Sequence, residues 1–99
     1  MEPDRIFDAL ASRTRRQILA YLSEAELTTS ELAERFSLSP PSISRHLSVL
    51  ENAGLVASER RGQRVLYRIE ADRLADALTA FTREVCPGSR TPWKPRESI

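Results

Sequence analysis

The sequence predicts a mainly α-helical domain with one small β-hairpin, in the order α-α-α-α-β-β-α, and three observations carry that reading. Apolar residues recur at helical spacing in four short segments between residues 5 and 52. Beyond Asn52-Ala53-Gly54 the period shortens to two across residues 55–69, interrupted by a Gly-containing tetrapeptide. Helical spacing then resumes from Ala71 to Val85. A chain of 99 residues lies in the range of a single domain, assigned here to residues 1–86, with residues 87–99 expected as a flexible Pro-rich tail containing the only tryptophan, Trp93.

Each element has a local cause. Between Arg5 and Leu10, the residues Ile6, Phe7 and Leu10 form a short apolar face. Ser12 or Thr14 is placed to cap a second helix in which Ile18, Leu19 and Leu22 face inward, and Thr28 or Thr29 to cap a third, with Glu31 near its positive end and Leu32, Ala33 and Phe36 apolar. Ser37-Leu38 breaks this helix. Ser39-Pro40 starts a fourth, because a serine N-cap satisfies one orphan N–H and proline at the first helical position has none to lose. That helix, residues 39–53, ends at Gly54, the residue that best tolerates a left-handed stop. Two short helices across a turn of about three residues have helix-turn-helix spacing. Residues 55–59 and 64–69 then read as strands around the loop Arg60-Arg61-Gly62-Gln63, a β-wing. The architecture is a winged helix-turn-helix. In the last helix Leu74, Leu78, Phe81 and Val85 make one stripe, and Cys86-Pro87-Gly88 ends it.

Composition excludes several classes. No apolar run is long enough to span a bilayer, and Met1-Glu2-Pro3-Asp4 lacks a basic segment before an apolar one, so a cytoplasmic protein without membrane association is expected. A single cysteine, Cys86, forms neither an internal disulfide nor a cysteine-rich metal site. No Ser/His/Asp, Cys/His or Gly-rich phosphate arrangement is present, which argues against an enzyme. The net charge is only +1, yet residues 39–68 hold Arg45, Arg60, Arg61, Arg64 and Arg68 against Glu51 and Glu59 alone. Fourteen of the fifteen basic residues are arginine, whose planar fork suits phosphate and guanine edges, although a GC-rich genome gives the same bias.

In the fourth helix, at about 100° per residue, Ile43, Leu47 and Leu50 define the buried side. The opposite side then presents Pro41, Ser42, Arg45, Ser48 and Val49, with Ser44 and His46 on the flanks, a small, hydroxylated and positive face able to enter a major groove, where Arg45 can reach guanine O6 and N7. Arg60, Arg61 and Arg64 extend this basic surface on the wing, which is placed to straddle the DNA backbone and reach the minor groove; the competing reading is an edge hairpin whose charges block aggregation. Arg15 and Arg16 are placed either to touch the DNA backbone or to pair with Glu31 or Glu34. The terminal helices offer Ile6, Phe7, Leu10, Leu74, Leu78, Phe81 and Val85 to a two-fold mate, unless they simply close the core of one chain.

These segments resemble the arsenic-repressor (ArsR) family of winged-helix bacterial transcription regulators, in particular members that do not sense metals. The likeness is carried by Ala9-Leu10-Ala11-Ser12-Arg13-Thr14-Arg15-Arg16-Gln17-Ile18-Leu19, by residues 38–50, and by Ala53-Gly54-Leu55-Val56 leading to Arg60-Arg61-Gly62-Gln63-Arg64. It covers about residues 4–86, and Arg13 stands where many relatives have proline. The resemblance implies a homodimeric repressor of double-stranded DNA, with the third and fourth helices as the binding pair and the first and last as the subunit surface. The third helix lacks the cysteines and the last helix the histidines through which many relatives sense metals, so no metal or cofactor is expected, and the sequence does not name an inducer. Two alternatives stand beside this reading: an interaction adaptor that has lost DNA binding, and a repressor responsive to oxidation of Cys86.

Overall fold

Hydroxyl groups set three consecutive helix starts. In the computed structural model, which describes residues 3–86, α1 (Pro3–Leu10) begins two residues earlier than its apolar face suggests and is followed by α2 (Arg13–Leu22), whose N-cap is Ser12: its Oγ accepts from the Arg15 backbone N–H at 3.2 Å. α3 (Thr29–Phe36) is capped by Thr28 in a reciprocal box, in which Thr28 Oγ1 accepts from the Glu31 N–H at 3.1 Å and Glu31 Oε1 accepts from the Thr28 N–H at 2.8 Å. Ser37, at φ 55°, turns the chain out of α3, and α4 (Pro40–Asn52) starts after Ser39, whose Oγ accepts from the Ser42 N–H at 3.3 Å. The helix-turn-helix spacing read from the sequence is therefore present.

The end of α4 is a Schellman motif. Gly54, at φ 80°, donates its N–H to the Glu51 carbonyl at 2.9 Å, while the Leu55 N–H reaches back to the Leu50 carbonyl at 2.9 Å. Leu55 is thereby pulled into the core and the chain enters β2 (Val56–Arg61), which pairs antiparallel with β3 (Arg64–Ile69) before α5 (Ala71–Val85). Two features correct the sequence reading here. The hairpin loop is only Gly62-Gln63, with Gly62 at φ 63° in the first central position of the turn, so Arg60 and Arg61 belong to the strand and not to the loop. A third strand, β1 (Leu27–Thr28), pairs with β3 through Leu27↔Tyr67 and Thr28↔Leu66, giving the order β1-β3-β2. Two residues carry no alternation, so only the pairing partner identifies this strand.

The core gathers Ile18, Leu19 and Leu22 of α2, Leu32 and Ala33 of α3, Ile43, Leu47 and Leu50 of α4, and Leu27, Leu55 and Val56 around them. Ile6 and Ala9 of α1 complete it. At 1% exposure Ile6 is consumed by its own chain, which corrects its assignment to a subunit surface. Leu10 and Leu74 are half-buried against the same core, and Phe7 meets the Phe81 ring edge-to-face at 5.2 Å between centroids. No residue of α5 is buried: Leu78, Phe81 and Val85 are 43%, 46% and 57% exposed. The expected tail, with Trp93, lies outside the described residues, as do Pro87 and Gly88 of the expected helix stop.

Two substitutions test the local causes of α3 and α4. Thr28→Ala removes the capping box and should lower unfolding free energy by about 1 kcal/mol; Gly54→Ala forces a Cβ into the left-handed region and should lower it by about 1–2 kcal/mol, both read by urea denaturation.

Candidate nucleic-acid interface

With Ile43, Leu47 and Leu50 at 0% exposure, the rotation of α4 about its own axis is fixed, and Pro41, Ser44, Arg45, Ser48 and Val49 are exposed on its outer side. Ser42 is half-buried, and its hydroxyl accepts from that of Ser39 at 3.2 Å, so it is held within the cap. His46 sits on a flank, as its helical position implies. It lies on the flank of α4 toward α2, half-buried, with Arg15 Nη1 donating to its Nδ1 at 3.3 Å. Burial, followed by the charges of Arg15 and Arg45, holds its pKa below the ordinary 6.5, so the ring is neutral at neutral pH.

The wing divides its arginines between two faces. Strand alternation and the register Arg60↔Val65 and Ser58↔Tyr67 place Arg60 on the sheet face that also bears Ser58. The Ser58 hydroxyl donates to Glu51 Oε2 of α4 at 3.0 Å, and Val56, Tyr67 and Ile69 of the same face pack on the core, so this is the face turned toward the helices. Arg61, Arg64 and Arg68 occupy the other face. There Arg61 stands directly opposite Arg64, a like-charge pairing that disfavours the hairpin unless neutralised. Carboxylates supply that neutralisation: Arg61 lies 3.3 Å from Glu59 and 3.7 Å from Glu26, Arg64 3.6 Å from Glu31, and Arg68 3.9 Å from Glu59 and 3.8 Å from Glu70. Glu31 is held ionised chiefly by the Thr28 N–H, with the Thr28 hydroxyl, Arg64 and Arg35 adding to it. Among the described residues Arg45 and Arg60 have no carboxylate within salt-bridge distance.

Neither Arg15 nor Arg16 pairs with Glu31 or Glu34. Their guanidinium groups close the carbonyl end of α1: Arg15 Nε donates to Ala9 O at 2.8 Å and Nη2 to Asp8 O at 3.1 Å, and Arg16 Nη1 donates to Leu10 O at 2.6 Å. Sequence reasoning missed this because the acceptors are backbone atoms on a neighbouring helix; the one available signal is that α1 ends without a glycine to satisfy its last carbonyls. Cys86 is a free, half-buried thiol at the C-cap of α5. Among the described residues no three His, Cys, Asp or Glu side chains come close enough together to hold a metal ion, and no helix is long and apolar enough to cross a membrane.

A family model for bacterial regulatory proteins of the arsR family matches residues 12–58. The transcriptional repressor SdpR of Bacillus subtilis is 36% identical over 75 residues, covering 76% of this chain and 83% of that protein. The chain belongs to the arsR family. Among solved structures, an ArsR-like transcriptional regulator from Rhodococcus superposes with a TM-score of 0.78 at 33% identity, over 83% of this chain and 75% of that one. The homodimeric winged helix-turn-helix DNA-binding domain of a possible ArsR-family regulator from Mycobacterium bovis superposes with a TM-score of 0.69 at 33% identity and the same coverage. Membership of the arsR family makes this a DNA-binding transcriptional regulator and not an enzyme, and the matched residues 12–58 run from the cap of α2 through α3 and α4 to the start of β2.

The depressed pKa of His46 sets a pH dependence. Because the unfolded state binds the proton more readily, the stability His46 contributes is fully present above about pH 6.5 and is lost as pH falls through the folded value. Thermal denaturation between pH 7.5 and 5 should show a stability decrease that begins near pH 6.5 and is flattened in His46→Gln.

Proposed function

We propose that two copies of this chain bind an inverted repeat in double-stranded DNA and repress transcription by occluding a promoter. The observation that carries the proposal is the exposed outer face of α4, where Arg45 stands among small residues with no carboxylate within salt-bridge distance among the described residues, together with Arg60 on the wing that follows, likewise without one. Around Arg45, the small residues Pro41, Ser44 and Ser48 allow close approach to a groove, so Arg45 reads a guanine edge while the serines donate to phosphates or bases. Arg60 reaches the adjacent backbone or minor groove. Arg61 and Arg64 add positive potential that Glu26, Glu59 and Glu31 largely offset, and Ser42 acts through the helix cap.

The second copy docks on α5. Leu78, Phe81 and Val85, with Phe7 beside Phe81, form an exposed apolar stripe on the helix that buries no residue of its own, and a homodimeric structural neighbour shares the fold. Leu10 and Leu74 back this surface from the core side. Half-sites one helical turn apart, about 34–36 Å, suit a two-fold pair of α4 helices. Acting on bacterial DNA places the protein in the cytoplasm.

Gel-shift titration against the promoter of its own operon at several salt concentrations tests the reading. Arg45→Ala should weaken specific binding by about 1–3 kcal/mol and relax preference at one base pair, whereas Arg60→Ala should weaken all sequences alike and reduce the salt slope by about 0.9. An unchanged preference for specific over random DNA in Arg45→Ala would remove base readout from Arg45. For the subunit surface, Phe81→Glu should yield monomers in analytical ultracentrifugation and abolish tight operator binding.

A further inference from the structure

One guanidinium joins the subunit-face helix to the recognition helix. Arg15 donates Nε to Ala9 O at 2.8 Å and Nη2 to Asp8 O at 3.1 Å, two backbone acceptors fixed at the end of α1, and the planarity of the group then aims Nη1 at His46 Nδ1, 3.3 Å away. Arginine only donates. The neutral imidazole must therefore accept at Nδ1 and carry its proton on Nε2. Among the described residues Nε2 meets no hydrogen-bond partner, and no side-chain N or O atom is both buried and unsatisfied, so this N–H opens to solvent. The charged groups facing the ring are Arg15 from α2 and Arg45 from α4 itself, both cationic. An outward N–H donor on the first half of a recognition helix, flanked by two guanidinium groups and no carboxylate, is matched by a phosphate oxygen.

We propose that Arg15 is a positioning residue for operator binding: anchored on the last carbonyls of α1, it holds His46 in the tautomer that presents Nε2–H to a phosphate of the bound duplex. The proposal rests on the DNA-binding reading above and adds a residue that need not itself touch DNA. It also gives α1 a route to α4, because the turn of α1 that sets Phe7 against Phe81 of α5 also supplies the Asp8 and Ala9 carbonyls that anchor Arg15.

The chain contains a single histidine, so nitrogen-15 NMR of the imidazole reports His46 alone. In the wild-type protein at pH 7.5 the Nε2–H tautomer should dominate, and its Nε2 resonance should move on addition of an operator duplex. Arg15→Gln should give mixed tautomers. Arg15→Gln and His46→Phe should each weaken operator binding by about fivefold, the weight of one hydrogen bond, and the double variant should lose no more than the weaker-binding single, since both break one contact. The salt slope of Arg15→Gln should equal that of wild type, because a direct phosphate contact by Arg15 would lower it by about 0.9. A wild-type Nδ1–H tautomer, an Nε2 resonance indifferent to operator, additive losses or a reduced slope each overturns the proposal; the first two need no variant to fold. Specific binding by wild type together with any of these leaves the regulator reading standing and removes only the role of Arg15. Wild-type binding without sequence preference removes both.

Discussion

The burial of one stripe of α4 governs the rest of the molecule. Ile43, Leu47 and Leu50 are fully enclosed by α2, α3 and the root of β2, and truncating any such side chain costs about 2–5 kcal/mol. That is a large share of the about 5–15 kcal/mol by which a small domain is stable. The helix is therefore not free to roll, and the identity of its outward face follows from which positions remain. Pro41, Ser44, Arg45 and Ser48 are presented because they are not needed inside. The Schellman turn at Gly54 extends the same constraint into the wing, since Leu55 is both the residue after the cap and a core residue, and its carbonyl accepts from the Glu70 N–H at 2.8 Å just before α5.

Electrostatics on the wing is arranged by neutralisation. Surface ion pairs contribute about 0–1 kcal/mol each, so the pairs made by Arg61, Arg64 and Arg68 do little for stability. Their effect is to relieve the repulsion of Arg61 facing Arg64 across the hairpin, while Arg60 on the same wing has no carboxylate within salt-bridge distance among the described residues.

Helix α5 presents the opposite situation. It rests on the core through Leu74 and Ala77 and leaves Leu78, Phe81 and Val85 exposed along a length of helix, more than one chain can cover. Such a stripe is the usual mark of a surface completed by another molecule. Ile6, by contrast, shows that apolar periodicity alone does not say which partner a residue faces: Ile6 and Phe7 are neighbours in α1, yet one is enclosed by its own chain and the other sits half-exposed against Phe81.

The sequence by itself determined the five helices, the hairpin and their order, the Ser39 cap, the Gly54 stop and the inward stripe of α4, because each of these is settled by residues within one or two turns of one another. It also marked residues 39–68 as the basic region, since local charge excess is a property of composition. Only the tertiary structure decided that Leu27–Thr28 is a strand, that Ile6 belongs to the core, that Arg64 answers to Glu31, and that Arg15 joins the end of α1 to His46. Those relations connect residues far apart in the chain, and several of them depend on backbone carbonyls that every sequence possesses, so no side-chain pattern announces them.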